Sequence, residues 1–211
     1  MRVIAIDGPA GSGKSTVAKA LAGRLDLEYL DTGAMYRSVA FAAIRRGIDP
    51  DDVEPVGRLA RDLDLRMDLD GTITVDGADA TIEIRGPEVT RAVSIVAANP
   101  LVRDEMRRRQ REWAKKRGGG VMEGRDIGTV VFPGAELKVY LDASPEVRAS
   151  RRSKEVAELA YETVAADLAR RDALDQGRAD GPLREASDAV VIDTSDLTVD
   201  QIIAAVLALL T

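Results

Sequence analysis

A three-layer α/β/α fold around a parallel sheet, with a small antiparallel insert, is predicted by three features of the 211-residue chain. Short β-branched apolar runs alternate with segments of helical period along most of its length. A glycine-rich turn joins the first such run to the first helical segment. Between Leu63 and Ile84 the hydrophobic period changes to two, with Asp-Gly turns inside the stretch.

Val3-Ile4-Ala5-Ile6, closed by Asp7-Gly8, has the pattern of a strand buried on both faces. Val17, Ala18, Leu21, Ala22 and Leu25 then repeat at helical spacing over residues 14 to 25, before a second strand at Glu28 to Leu30. A helix from about Ala34 to Arg46 stops at Gly47, and another covers Val53 to Leu63 after Asp-Pro-Asp-Asp start signals. Leu65-Arg66-Met67-Asp68-Leu69 and Ile73-Thr74-Val75, with turns at Asp70-Gly71 and Asp76-Gly77, read as an antiparallel meander.

Helical patterns resume at Pro87 to Ala98 and from Leu101 to about Lys116, where Gly118-Gly119-Gly120 stops them. Val121-Met122 and Leu137 to Leu141 are strands, the second leading through Ser144-Pro145 into a short helix at Glu146 to Arg152. Val156, Leu159, Ala160, Val164 and Leu168 form a helical stripe, whereas the charged stretch Arg170 to Arg184 reads as a mobile loop. A strand at Ala189 to Ile192 and a helix at Val199 to Leu210 complete the chain. No repeat, low-complexity tract or interdomain linker interrupts it, which predicts a single domain over 1–211.

Composition narrows the chemistry. Cysteine and histidine are both absent, excluding disulfides, thiolate or imidazole metal sites, a cysteine nucleophile and a histidine base. Aromatics make up 3%, so the core must be aliphatic and stacking platforms for single-stranded nucleic acid are scarce. The net charge of −6 argues against a polyanion grip by the whole surface, although 24 of the 30 basic residues are arginine and can be concentrated locally. Neither a secretory signal pattern nor an apolar run of membrane-spanning length is present, which predicts a soluble, cytoplasmic protein.

Gly8-Pro9-Ala10-Gly11-Ser12-Gly13-Lys14-Ser15 fits G-x-x-x-x-G-K-[ST], placed after a buried strand and at the start of a helix. Its glycines let the backbone aim N–H groups at phosphate oxygens, Lys14 reaches the terminal phosphates, and Ser15 can ligate Mg²⁺. The base-reading N-K-x-D of GTPases is missing, since the only asparagine is Asn99 and proline follows it. Asp68-Leu69-Asp70-Gly71 fits D-x-x-G but falls in the meander turn.

A kinase acting between two nucleotides must neutralise an acceptor phosphate as well as the donor, and arginine does so bidentately without losing its charge. Leu30-Asp31-Thr32-Gly33-Ala34-Met35-Tyr36-Arg37 and Glu123-Gly124-Arg125-Asp126-Ile127-Gly128-Thr129 each place polar groups and an arginine just beyond a strand. Arg171, Asp175 and Arg178, four and three residues apart, share one face if helical. Ser94 by itself reads as a helix-surface hydroxyl. Arg103 opens a stretch to Arg117 with eight basic and three acidic residues, for which a solvated face or a nucleic-acid patch are competing readings.

Together these segments, with Arg171-Asp172-x-x-Asp175-x-x-Arg178, resemble the bacterial cytidylate (CMP) kinase family, in order along nearly the whole chain. The resemblance implies a P-loop nucleoside monophosphate kinase with a five-stranded parallel sheet, an NMP-binding insert at about 34–98 and a lid at about 150–183. It implies transfer of the γ-phosphoryl of ATP, with Mg²⁺, to CMP or dCMP by a monomer that binds neither nucleic acid nor membrane. Residues Gly8 to Ser15 and Thr16 would hold ATP, with Arg151 and Arg152 on its phosphates. Thr32, Tyr36, Arg37, Arg125 and Arg178 would bind the acceptor, Arg171 and Asp175 its sugar, and Ser94, Arg103 and Asp126 its cytosine. Lys14, Arg125, Arg151 and Arg178 would act in transfer, and Ser15, with Glu123 through water, at the metal. Glu123 stands where the family usually has Asp, Leu174 and Gln176 where it usually has Arg and Ser, and Ser153 to Thr163 is short for a lid.

Overall fold

A computed structural model describes residues 1–68, 70–155 and 160–210. Five strands form the main sheet: β1 (Arg2–Asp7), β2 (Tyr29–Asp31), β6 (Gly119–Gly124), β7 (Leu137–Asp142) and β8 (Val190–Asp193). Their order is β2-β6-β1-β7-β8, and the sheet is parallel. Three short strands, β3 (Leu65–Met67), β4 (Ile73–Val75) and β5 (Ala78–Asp79), make the separate antiparallel sheet expected from the period-two stretch.

The chain divides into two compact units, 1–30 with 114–211, and 31–113. In the first, register aligns Ile4 with Val121 and Leu137, and Ile6 with Val139, so these side chains share one sheet face. Two helices cover that face, α1 (Lys14–Leu25) through Val17, Ala18 and Leu21, and α8 (Val199–Ala208) through Ile202, Ile203 and Val206. Aliphatic burial of this kind contributes about 1.5–3 kcal/mol per large side chain, which is how a chain with so few aromatics holds its sheet. A capping box closes the start of α8: Thr198 Oγ1 accepts from the Gln201 amide and Gln201 Oε1 accepts from the Thr198 amide.

Gly119 lets β6 lie against β1. It has φ +136°, and a Cβ there would stand 1.9 Å from the Arg2 carbonyl oxygen, a backbone atom that cannot give way. Gly119→Ala is therefore expected to cost at least ~3 kcal/mol and to lower the melting temperature by roughly 6–12 °C. A melt indistinguishable from wild type contradicts this.

In the second unit, α2 (Thr32–Arg45) packs against α3 (Val53–Asp62) and α4 (Pro87–Ala98), burying Val39, Ala43, Val56, Leu59, Val93 and Val96. Asn99 starts α5 (Pro100–Arg117), its Oδ1 accepting from the Leu101 amide at 3.0 Å while its Nδ2 donates to the Val53 carbonyl at 2.9 Å. Gly57 allows α3 to approach α5, since a Cβ there would meet Leu101 at 2.6 Å.

Two helices depart from the sequence reading. The helix after Pro145, α6 (Pro145–Glu155), runs past Arg152. The stretch read as a mobile loop from Arg170 is helical as far as Gly177, where α7 (Tyr161–Gly177) ends. Asp172, Asp175 and Arg178 are buried there although all are charged. Pairing between opposite charges buries them, and apolar periodicity does not register such a face. Val156 and Leu159 of the expected stripe lie outside the described residues.

Candidate active site

Register brings the C-terminal ends of three strands to one level, with Asp7 of β1 opposite Gly124 of β6 and Tyr140 of β7. The loops that follow β1, β6 and β7 therefore emerge side by side, with neighbouring strands on both sides of β1, where parallel α/β sheets bind ligands. Gly8 begins the first loop with φ +149°, and a Cβ there would overlap the Leu141 carbonyl oxygen at 2.0 Å. Gly13, in the left-handed region at φ 88°, caps α1 with no side-chain hydrogen bond and no acid in the first turn. By contrast, Asp31 caps α2 by accepting from the Ala34 amide at 2.8 Å. The start of α1 thus keeps its positive end and first amides for an anion.

Lys14 is buried and donates from Nζ to the Pro9 carbonyl at 2.6 Å. Burial, reinforced by the Arg125 guanidinium, pushes its ammonium down to about 7. Ser12 is fully buried and its Oγ has no partner among the described residues. Ser15 and Thr16 are exposed at the loop's end, and Ser15 Oγ donates to Glu123 Oε2 at 2.9 Å. The Tyr29 hydroxyl donates to the other Glu123 oxygen, which keeps this buried carboxylate aimed at Ser15. Among the described residues no group of three acidic side chains could cage a metal. One hydroxyl beside one carboxylate suits a hard cation that takes its remaining ligands from phosphate and water, as Mg²⁺ does.

A second set of groups gathers around α7. Arg125 Nε donates to Asp175 Oδ2 at 2.8 Å, Arg178 Nη1 lies 3.7 Å from Asp175 Oδ1, and Arg178 Nη2 donates to the Gly181 carbonyl at 2.7 Å. Burial works against the Asp175 charge, but Arg125 and Arg178 outweigh it and hold the carboxyl below its usual range. For Arg171, burial and then repulsion from Arg125 lower the guanidinium to about 10. Arg125, Arg171 and Arg178 act on Asp175, and with Asp172 also acting on Arg125 and Arg171 these arginines still outnumber the two aspartates, a local excess of positive charge in a net acidic chain. Arg151 on α6 donates to Thr194, from Nη1 to Oγ1 at 2.9 Å and from Nη2 to the carbonyl at 2.5 Å. Its Nη1 lies 3.9 Å from where a Gly13 Cβ would be. Arg152 is half-buried one residue further on.

Asp126 is buried at the start of a π-helical turn, Ile127–Val131, that follows β6. Asp7 fixes that turn by accepting from the Ile127 amide at 2.9 Å and the Gly128 amide at 2.7 Å. Burial drives the Asp7 carboxyl up to about 6, and these two donors partly offset it.

The remaining sequence-predicted residues belong to the second unit. Arg37 Nη1 donates to Thr90 Oγ1 at 2.9 Å and to the Ile84 carbonyl at 3.2 Å. Arg103 is completely buried and donates to the Ala97 carbonyl at 3.2 Å, which removes the solvated-face reading for this residue. Ser94, Thr32 and Tyr36 are buried as well, so Ser94 is not the surface hydroxyl that its position alone suggests. Further along α5, Arg108 and Arg109 both pair with Glu105, at 2.6 Å each, and Arg108 also pairs with Glu112 at 2.6 Å.

Four supporting residues escape the sequence reading: Asp7, Arg148, Asp172 and Thr194. Thr194 is fully buried, with Oγ1 3.1 Å from the Ser12 carbonyl and 2.9 Å from that of Asp142. Asp172 stands inside the Arg171 to Arg178 motif and Asp7 directly before Gly8, so adjacency to Arg171 and to the glycine-rich loop is a usable signal. Thr194 carries none, because its role depends on β8 lying next to β7.

A parallel sheet with a phosphate-binding loop after its central strand, and arginines beside it, defines a P-loop kinase. The family model for cytidylate kinases matches residues 4–211, and the chain belongs to that family. It is 53% identical over 208 residues to a cytidylate kinase of Mycolicibacterium paratuberculosis, covering 95% of this chain and 91% of that protein. A cytidylate kinase of Pelotomaculum thermopropionicum is 49% identical over 213 residues, covering 97% and 94%. In fold the chain is similar to an uncharacterised protein from Eubacterium ventriosum, at TM-score 0.55 and 12% identity over 99% of this chain and 98% of the other. TT1252 from Thermus thermophilus is similar at TM-score 0.50 and 23% identity, over 100% and 98%.

Proposed function

We propose that this enzyme transfers the γ-phosphoryl group of ATP to CMP or dCMP, giving ADP and CDP or dCDP. Family membership over residues 4–211 carries this reading. A phosphate oxygen of the acceptor attacks the γ-phosphorus in line, the bond to the β,γ-bridging oxygen breaks, and ADP leaves, with no covalent enzyme intermediate. Catalysis is then positioning and charge stabilisation, which a chain lacking histidine and cysteine can supply.

Gly8 to Thr16 cradle the triphosphate, Lys14 stabilises charge on the transferring group, and Arg151 and Arg152 follow the ATP phosphates. Arg37, Arg125 and Arg178 neutralise the acceptor phosphate, helped by Thr32 and Tyr36, while Arg171 and Asp175 hold its sugar. Asp126 accepts from the cytosine amino group, and Ser94 and Arg103 complete base recognition. Ser15, and Glu123 through water, would hold Mg²⁺, which when bound supplies charge neutralisation between the phosphates. Residues 34–98 act as the acceptor-binding insert and about 150–183 as a lid, in a cytoplasmic monomer. The pairing of Arg108 and Arg109 with Glu105 supports a small-molecule rather than a nucleic-acid role for α5.

A coupled assay of ADP formation with CMP, dCMP, UMP and AMP tests the proposal. Preferred turnover of CMP and dCMP is expected; preference for UMP or AMP, or ATP hydrolysis indifferent to any monophosphate, overturns it.

The lowered Lys14 ammonium adds a pH-dependent expectation. Above pH 7 the free enzyme carries this amine largely neutral, and the phosphates of a bound nucleotide favour its charged form. ATP binding at pH 8 should therefore take up as much as about one proton, read by titration calorimetry in buffers of different ionisation enthalpy. Equal heats in all buffers contradict it.

A further inference from the structure

Arg148 is a buried cation to which the proposed function gives no substrate. From α6 its Nε donates to the Ala143 carbonyl at 3.1 Å, and its Nη1 donates both to the Ala10 carbonyl at 3.1 Å and to the Asp172 carboxylate. One guanidinium thus joins the end of β7, the phosphate loop and α7. The loop also rests on the backbone of Arg148, since a Cβ on Gly11 would lie 3.0 Å from the Arg148 carbonyl oxygen and 3.1 Å from its Cβ.

Asp172 is the other half of the strut. It is buried on α7, next to Arg171 and three residues before Asp175. While Oδ2 takes the bond from Arg148, Oδ1 is buried with no hydrogen bond among the described residues, and the carboxylate acts electrostatically on both Arg125 and Arg171. A buried carboxylate oxygen left unpaired is costly, and a pair retained at that cost suits a residue that aligns charges.

We infer that Arg148 and Asp172 are positioning residues for phosphoryl transfer: Arg148 sets the Ala10-Gly11 peptide of the phosphate loop, and Asp172 sets Arg125 at the acceptor phosphate and Arg171 at its sugar. The acceptor arm rests on the proposed function, whereas the loop arm rests on the contacts of Arg148 alone. Lysine in place of Arg148 keeps the charge but loses the fork that reaches Ala10 and Ala143 together. Asparagine in place of Asp172 keeps size and an acceptor but removes the charge facing Arg125 and Arg171.

The test uses the full chain with Arg148→Lys and Asp172→Asn, each shown to be folded by circular dichroism. Affinity is measured for a fluorescent non-hydrolysable ATP analogue, and KM is measured for CMP. Arg148→Lys should weaken the analogue roughly tenfold, and Asp172→Asn should change it less than about twofold while raising KM for CMP roughly fivefold or more. A pair that only held α6 to α7 would lower both melting temperatures and move both constants alike. Equal factors in the two variants, or unchanged constants in either, overturn the inference. Each variant judges its own arm if the other does not fold. Should the wild type fail to phosphorylate CMP, the acceptor reading falls, and the analogue affinity of Arg148→Lys still decides the loop arm.

Discussion

Lys14→Ala is expected to lower kcat by roughly 10²- to 10³-fold, with a much smaller change in KM for CMP. Lys14 is the only cation in the loop from Gly8 to Thr16, and its ammonium is buried at the loop's base against the Pro9 carbonyl. Buried as it is, its charge acts through a low effective dielectric, which makes its loss worth several kcal/mol in the transition state. Steady-state kinetics at saturating ATP is the measurement, and an unchanged kcat removes Lys14 from the chemistry. The same residue links stability to pH. Its ordinary value of 10.5 falls to about 7 in the folded chain, so unfolding takes up a proton between those values. Lys14 thereby makes the free enzyme more stable as pH rises through that window, and the contribution disappears in the alanine variant.

Asp126→Asn is expected to reduce the preference for CMP over UMP, measured as the ratio of kcat/KM, by roughly 10- to 100-fold. Cytosine presents an amino donor where uracil presents a carbonyl acceptor. A carboxylate can only accept, so it rewards cytosine and opposes uracil, whereas an amide can turn a donor toward uracil. Asp126 is buried on a turn held by two hydrogen bonds to Asp7, so its side chain has little freedom to compensate. Equal losses for both substrates assign Asp126 a structural role instead.

The sheet was legible because apolar runs such as Val3 to Ile6 and Leu137 to Leu141 are short, β-branched and uninterrupted. The meander was legible from its period and its Asp-Gly turns. The glycine-rich loop after β1 was legible because backbone curvature demands glycine at set spacing, and sequence records that demand directly. Helix α7 was hidden beyond Arg170, because its buried face is made of paired charges, which alone look like solvated ones. Buried Arg103 and Ser94 likewise carry no local signal of burial.

By itself the sequence determined the layered α/β class, the glycine-rich loop after the first strand, the exclusion of imidazole and thiol chemistry, and the family motifs in order. Those depend on local backbone geometry and on residue types, which the chain states position by position. Only the tertiary structure decided which charges are neutralised, which are buried and which are shared. Arg148 meeting Ala10 and Asp172, Asp7 holding the turn at Ile127, and Thr194 under Ser12 are contacts between residues 24 to 182 positions apart. Such contacts follow from strand order and helix packing, and no short window of sequence specifies them.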